Sequence, residues 1–108
     1  MWLTFQPNSD AKNWMIEKSD YPIDPLAVVP GGNRHMHALS KGLKCGGFSI
    51  DTLDAPVVAL GERSPIYFSK DQPDISKGVH FSLYNNAWGT NYIQWFGEDL
   101  RFRFEVRT

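Results

Sequence analysis

A single cysteine, Cys45, occurs in the 108 residues, so no disulfide within the chain can staple the fold and no cysteine-rich zinc site can form. Cys45 reads instead as a small buried hydrophobe. An excess of charge of either sign is also missing: 11 Lys and Arg stand against 12 Asp and Glu, a formal net charge of -1. Nucleic acid and anionic membrane surfaces both favour clustered positive charge, so neither is an expected partner. Long hydrophobic runs are absent too. No stretch approaches the length that spans a bilayer, and the opening Met1-Trp2-Leu3-Thr4-Phe5 lacks the basic start and sustained apolar run of a secretory signal. The sequence carries no address, and localisation stays open. Helical periodicity is nearly missing: nothing keeps a 3.6-residue period for three turns. The one short helix expected lies near Asp10 to Lys18, where Asp10 caps and Trp14 and Met15 supply an apolar edge, before Tyr21-Pro22 ends it.

What remains is short and punctuated. Nine glycines and seven prolines are spread through the chain rather than gathered in a linker, which implies short strands joined by turns. Leu26-Ala27-Val28-Val29 before Pro30-Gly31-Gly32 and Ala55 to Leu60 before Gly61 read as strands closed by turns, and Phe48, Ile50 and Leu53 mark another. In the last stretch Leu100, Phe102, Phe104 and Val106 alternate with Arg101, Arg103, Glu105 and Arg107, predicting a strand with its apolar face packed inward. Val79, Phe81 and Leu83 likewise alternate with His80, Ser82 and Tyr84, which predicts one core face and one available face. The expected fold is one all-β domain over residues 1–108, an antiparallel β-sandwich or large twisted sheet with at most one short helix. At this size folding hides roughly two thirds of the unfolded chain's surface.

Several groups of residues bear chemistry. His35 and His37, with Cys45 in reach along the chain, would place two imidazoles on one side of a strand where they could share a metal, but the spacing matches no closed zinc pattern and ordinary strand histidines are the plainer reading. Asp51 and Asp54, and Glu98 and Asp99, supply the carboxylate pairs that glycoside hydrolysis needs. The run Asp51 to Pro56 fits better a turn in which aspartates bond backbone amides, and Glu98-Asp99 a solvated hairpin tip. Gly31-Gly32-Asn33 and Gly46-Gly47 lack the lysine and following helix of a phosphate loop. Asn85-Asn86-Ala87-Trp88-Gly89-Thr90-Asn91, with Tyr92, Trp95 and Phe96, is the densest block of amides and rings in the chain. Planar amides beside flat rings suit a sugar's hydroxyls and C–H faces, although asparagines also close tight turns and tryptophans also fill cores.

That block, with Asp99-Leu100-Arg101-Phe102-Arg103-Phe104 after it, resembles the segment near the C-terminus of large glycosidases of the family 38 α-mannosidase type. There an Asn-Asn-x-Trp-x-Thr-Asn-Phe block precedes an Arg-Phe-x-Phe strand. Ile23-Asp24-Pro25-Leu26, His37-Ala38 and Leu53-Asp54-Ala55-Pro56-Val57 resemble the same region in the same order, so the likeness runs from about Trp14 to the end. Tyr92-Ile93-Gln94 departs from a common Phe-Pro-Met. The resemblance implies an accessory β-domain from the C-terminal part of a larger enzyme, not catalytic by itself, since the family's zinc ligands and aspartate nucleophile lie in a separate α/β barrel for which this chain has no room. No cofactor is expected in this chain, and zinc only in that missing catalytic domain. The implied partners are the parent's catalytic domain and carbohydrate. Asn85, Asn86, Trp88, Thr90, Asn91 and Trp95 are the implied rim of the sugar site, with His35 and His37 a second set. An excised domain would also expose an apolar patch and self-associate through it. Two other readings stay open: an independent carbohydrate-binding module stacking sugar on Trp88, Tyr92, Trp95 or Phe96, and a small metal-dependent enzyme using His35, His37 and His80.

Overall fold

Alternation of apolar and polar residues, broken by glycine and by residues at positive φ, gives nine strands among the described residues. The computed structural model describes residues 1–6, 13–64, 69–85 and 97–108. The strands are β1 (Trp2–Phe5), β2 (Met15–Lys18), β3 (Tyr21–Ile23), β4 (Met36–Ala38), β5 (Gly42–Cys45), β6 (Phe48–Thr52), β7 (Val57–Leu60), β8 (Val79–Ser82) and β9 (Phe104–Arg107). Ile75–Lys77 forms one 3-10 turn, capped by the Asp74 carboxylate, which accepts from the Ser76 amide. The strands make two sheets, ordered β1-β8-β7-β4 and β3-β2-β5-β6-β9, and every pairing is antiparallel. The fold is thus all-β and sandwich-like, as the sequence predicts.

Two hairpins are set by local chemistry. Ser19 and Asp20 link β2 to β3 with φ of 49° and 66°, and Lys18 pairs with Tyr21. Two successive residues at positive φ give a turn whose twist matches the strands that it joins. Gly46, at φ 53°, and Gly47 close β5 onto β6 in the same two-residue fashion, with Cys45 opposite Phe48. The glycine pair is therefore a hairpin turn.

The core draws on both sheets. Directly paired residues share a face, so Leu3, Phe81 and Val58 line up on the first sheet and Ile16, Leu43, Ile50 and Val106 on the second. Buried Ile16, Leu43, Cys45, Ile50, Val58, Leu60, Val79 and Phe81 form one cluster with Trp14, Leu39 and Ile75. Rings cross between the layers: Phe104 of β9 meets Phe81 of β8 at 5.0 Å and Phe5 of β1 at 6.1 Å, while Phe5 and Phe81 meet edge to face at 5.8 Å. Such pairs add about 0.5–1.5 kcal/mol each beyond the area they bury.

Four expectations are corrected. Within the expected helix, Met15–Lys18 is strand β2, and Asn13 takes φ 62°; Asp10 lies outside the described residues. A helix would turn Trp14 and Ile16 roughly 200° apart, whereas a strand buries both on one face against Leu43. Leu26 to Val29 is not a strand, because its backbone groups are taken otherwise. The Ala27 N–H donates to Asp24, the Leu26 N–H to the Asp24 carboxylate, the Gly32 N–H to Val29, and Arg34 donates to the carbonyls of Leu26 at 2.8 Å and Val28 at 3.0 Å. The C-terminal strand begins at Phe104 rather than Leu100, and its apolar face is only partly inward: Leu100 and Val106 are exposed while Phe104 reaches the core. Finally, β8 has no available face through its first three residues, since His80 is as buried as its neighbours.

Gly42 sits where β5 crosses closest to β6: a Cβ there would collide with the Ile50 carbonyl oxygen and come within 2.9 Å of the Asp51 Cα. Both obstacles are backbone of the paired strand, which cannot yield without breaking the ladder. Gly42→Ala is expected to lower stability by about 2 kcal/mol or more in urea unfolding.

Candidate functional site

The strand that leads into the amide and aromatic block is held firmly at its end. Beyond β8, the N–H groups of Leu83 and Tyr84 donate to the Met1 carbonyl at 3.0 and 3.4 Å, and the Met1 ammonium donates to the Tyr84 carbonyl. Asn85 follows at once and is exposed. The root of the block is thus fixed by a neighbouring strand, the arrangement by which a scaffold presents a loop. Asn86, Trp88, Thr90, Asn91 and Trp95, with Tyr92 and Phe96, lie outside the described residues.

The three histidines are all buried, and each is held differently. His80 lies between the Thr4 hydroxyl, 2.8 Å from Nδ1, and the Gly61 carbonyl, 3.3 Å from Nε2. A carbonyl only accepts, so Nε2 carries the proton and Nδ1 accepts from Thr4. Burial, then the charges of Arg63 and His35, push its pKa down, against the pull of the Gly61 carbonyl. His35 places Nε2 3.1 Å from the Ser64 carbonyl, and its own N–H donates to the Asn33 side chain. His37 is the exceptional one. Its Nε2 is buried with no hydrogen-bond partner among the described residues, while the ring bonds the Arg34 backbone carbonyl. Burial first, then the charges of Lys18 and His35, lower its pKa to about 4 against that bond.

His35 and His37 also face different spaces. His35 lines a polar cleft of about 320 Å³ with Leu60, Glu62, Asp71, Asp74 and Lys77, whereas His37 borders a smaller cavity of about 200 Å³ with Ile16, Lys18, Ile23 and Val28. Cys45 is buried in the core. No group of three or more His, Cys, Asp or Glu is placed to hold a metal among the described residues. The His-x-His spacing survives, but the two rings serve different neighbourhoods.

The carboxylates are committed to ion pairs. Asp54 takes a two-pronged bond from Arg103 at 2.9 and 2.8 Å and accepts the Arg103 backbone N–H as well. Hydrogen bonding from Arg103 holds the Asp54 carboxyl below its ordinary range, the opposite of what a general acid needs. Buried Asp51 accepts from Arg107 at 3.1 Å and pairs with Lys41 at 3.6 Å. In the turn that follows, Thr52 does the work expected of aspartate: its hydroxyl accepts the Ala55 N–H and donates to the Ala55 carbonyl. Glu98 and Asp99 are exposed, while the residues before Gly97 that would complete the expected hairpin lie outside the described residues.

Sequence reasoning missed Thr4 as the His80 partner, Arg34 as the clamp on two carbonyls, and Glu62, Asp71, Asp74 and Lys77 around the His35 cleft. Thr4 meets His80 across 76 residues, whereas Arg34 reaches carbonyls only six and eight residues back through a loop that carries no periodic pattern. No family model matches this chain, and no curated protein or solved structure is significantly similar to it.

Because the folded pKa of His37 is depressed, the unfolded chain takes up a proton first on acidification. Stability is complete above about pH 6.5 and falls as pH drops towards 4, where the folded form also protonates. The loss expected from His37 is about 3 kcal/mol, with His80 adding in the same direction; urea midpoints measured from pH 7 to 4 check it, and His37→Gln should flatten the slope. Burial raises the Cys45 thiol pKa, so Cys45 should resist a thiol reagent in the native protein and react in full once the chain is unfolded in urea.

Proposed function

We propose that this chain is a non-catalytic accessory β-domain of a family 38-like glycoside hydrolase, which packs on the catalytic domain and lends loop residues to the rim of its sugar site. The observation that carries the reading is the anchored end of β8. Three hydrogen bonds to Met1 fix the point from which Asn85 and the amide and aromatic block depart, and that block is the part of the sequence that most resembles the family. The polar chemistry of the described residues fits the absence of catalysis in this reading. Asp51 and Asp54 are neutralised by arginine and lysine, and a retaining or inverting glycosidase requires one carboxyl held protonated and another placed across the sugar.

Asn85, Asn86, Trp88, Thr90, Asn91 and Trp95 contact sugar only when the catalytic domain completes the site. The second reading is an independent binding module that stacks sugar on Trp88, Tyr92, Trp95 or Phe96. Both readings are separated by one experiment. The purified chain, titrated with methyl α-mannoside and mannobiose and followed by tryptophan fluorescence, should show no saturable binding at millimolar sugar and should leave an α-mannoside substrate unhydrolysed. Saturable binding abolished by Trp88→Ala or Trp95→Ala would establish the binding module instead, and hydrolysis would overturn both.

A further inference from the structure

Sheet margins present unpaired backbone groups to any strand that fits them, and proteins blunt them with proline, charge or shortness. Among the described residues the four marginal strands are β1, β4, β3 and β9. β3 carries Pro22, which has no N–H to donate, and β4 is only three residues long. β9 has no proline and four residues, and its two charges, Glu105 and Arg107, are of opposite sign and so do not repel every partner. It reads Phe104-Glu105-Val106-Arg107, its last three residues are exposed, and Val106 keeps 51% of its surface open although it lies on the same face as buried Ile50. Beside it runs an open apolar groove of about 440 Å³, lined by Phe5, Phe48, Ile50 and Val106.

Charge selects what can pair with this margin. Glu105 and Arg107 project on one face, opposite in sign and two residues apart, and are already within 2.8 Å of each other. β9 is the one marginal strand that carries a carboxylate and a guanidinium together. An antiparallel strand of the same sequence, related by a two-fold axis through Val106, sets Glu105 against Arg107 of the partner subunit and Arg107 against Glu105 of the partner subunit. An axis through Glu105 or through Arg107 would instead put like charges directly opposite, which is unfavourable. Only the register centred on Val106 is fully complementary.

We propose that β9 is a self-association edge, across which a second copy of this chain pairs antiparallel about Val106 and joins the two five-stranded sheets into one. Val106 then faces Val106 of the partner subunit on the core side of the joined sheet, beside the open groove, and the four charges alternate on the other side. The partner is a copy of this chain because the charge pattern is its own complement. The pairing spans about five residues, or about 17 Å of strand, so its area falls below that of a standard stable interface and the dimer is weak and reversible. The inference is independent of the sugar-site reading and stands or falls without it.

The test uses the full chain with Cys45 in place, since its burial keeps it from competing as a thiol. Sedimentation equilibrium of the wild type should show an average mass rising from monomer towards dimer with concentration. Val106→Lys and Val106→Glu each set like charges across the axis and should weaken pairing at least about tenfold, whereas an equal mixture of the two should pair again. Val106→Cys should form a disulfide-linked dimer on mild oxidation much faster than Tyr21→Cys, a control that is more exposed but on the proline-bearing margin. Circular dichroism verifies that each variant is folded, and cross-linking decides the matter should a charged variant fail to fold. A wild type that stays monomeric at every concentration, charged variants that associate as it does, or equal cross-linking from both cysteines would overturn the proposal.

Discussion

Three phenylalanine rings, Phe5, Phe81 and Phe104, hold the two sheets in register with each other. Phe5 and Phe81 stand on adjacent strands of one sheet, and Phe104 reaches them from the margin of the other. Hydrogen bonding organises each sheet internally but does not join the two faces; that task falls to apolar contact, which is non-directional and needs rings to define a position. Removing Phe104 would leave Phe81, which is wholly buried, open on the side where the sheets meet. The position of β8, and with it the departure point of Asn85, follows from this contact.

The polar residues are arranged around that core in a way that leaves little chemistry to spare. Asp51, Asp54 and Glu105 each answer an arginine from the last ten residues, so the C-terminal strand is fastened by charge on one face and by Phe104 on the other. The histidines are buried and held largely by neighbouring polar groups. Thr4 and the carbonyls of Gly61 and Ser64 fix two of the rings, and His37 keeps one nitrogen unpaired among the described residues. A buried nitrogen left without a partner among the described residues costs stability.

The fold class was legible because period-two alternation and glycine spacing are local signals. Strands at Phe48 to Thr52 and Val57 to Leu60 could be read almost to the residue. Met15 to Lys18 could not, since a short segment satisfies helix and strand alike until Leu43 pairs with Ile16. Leu26 to Val29 failed for a different reason: its β-branched residues suit a strand, but proline on either side and the Arg34 guanidinium claim its backbone first. His80 was placed on an available face because alternation reports which side a residue takes, not what covers that side. Of the site, only the position of Asn85 at the end of β8 was both foreseen and described; ion pairs such as Asp54 with Arg103 join residues far apart in sequence and leave no local trace.

The closure of the core by Phe104 also bears on how the molecule is made. Phe5 is synthesised well before Phe81, yet neither has its full set of neighbours until β9 follows. Pairings between distant parts of the chain are slow to form and leave apolar surface open while they wait. A nascent chain therefore carries an unfinished sandwich until β9 has emerged, and it should depend on chaperones over that interval.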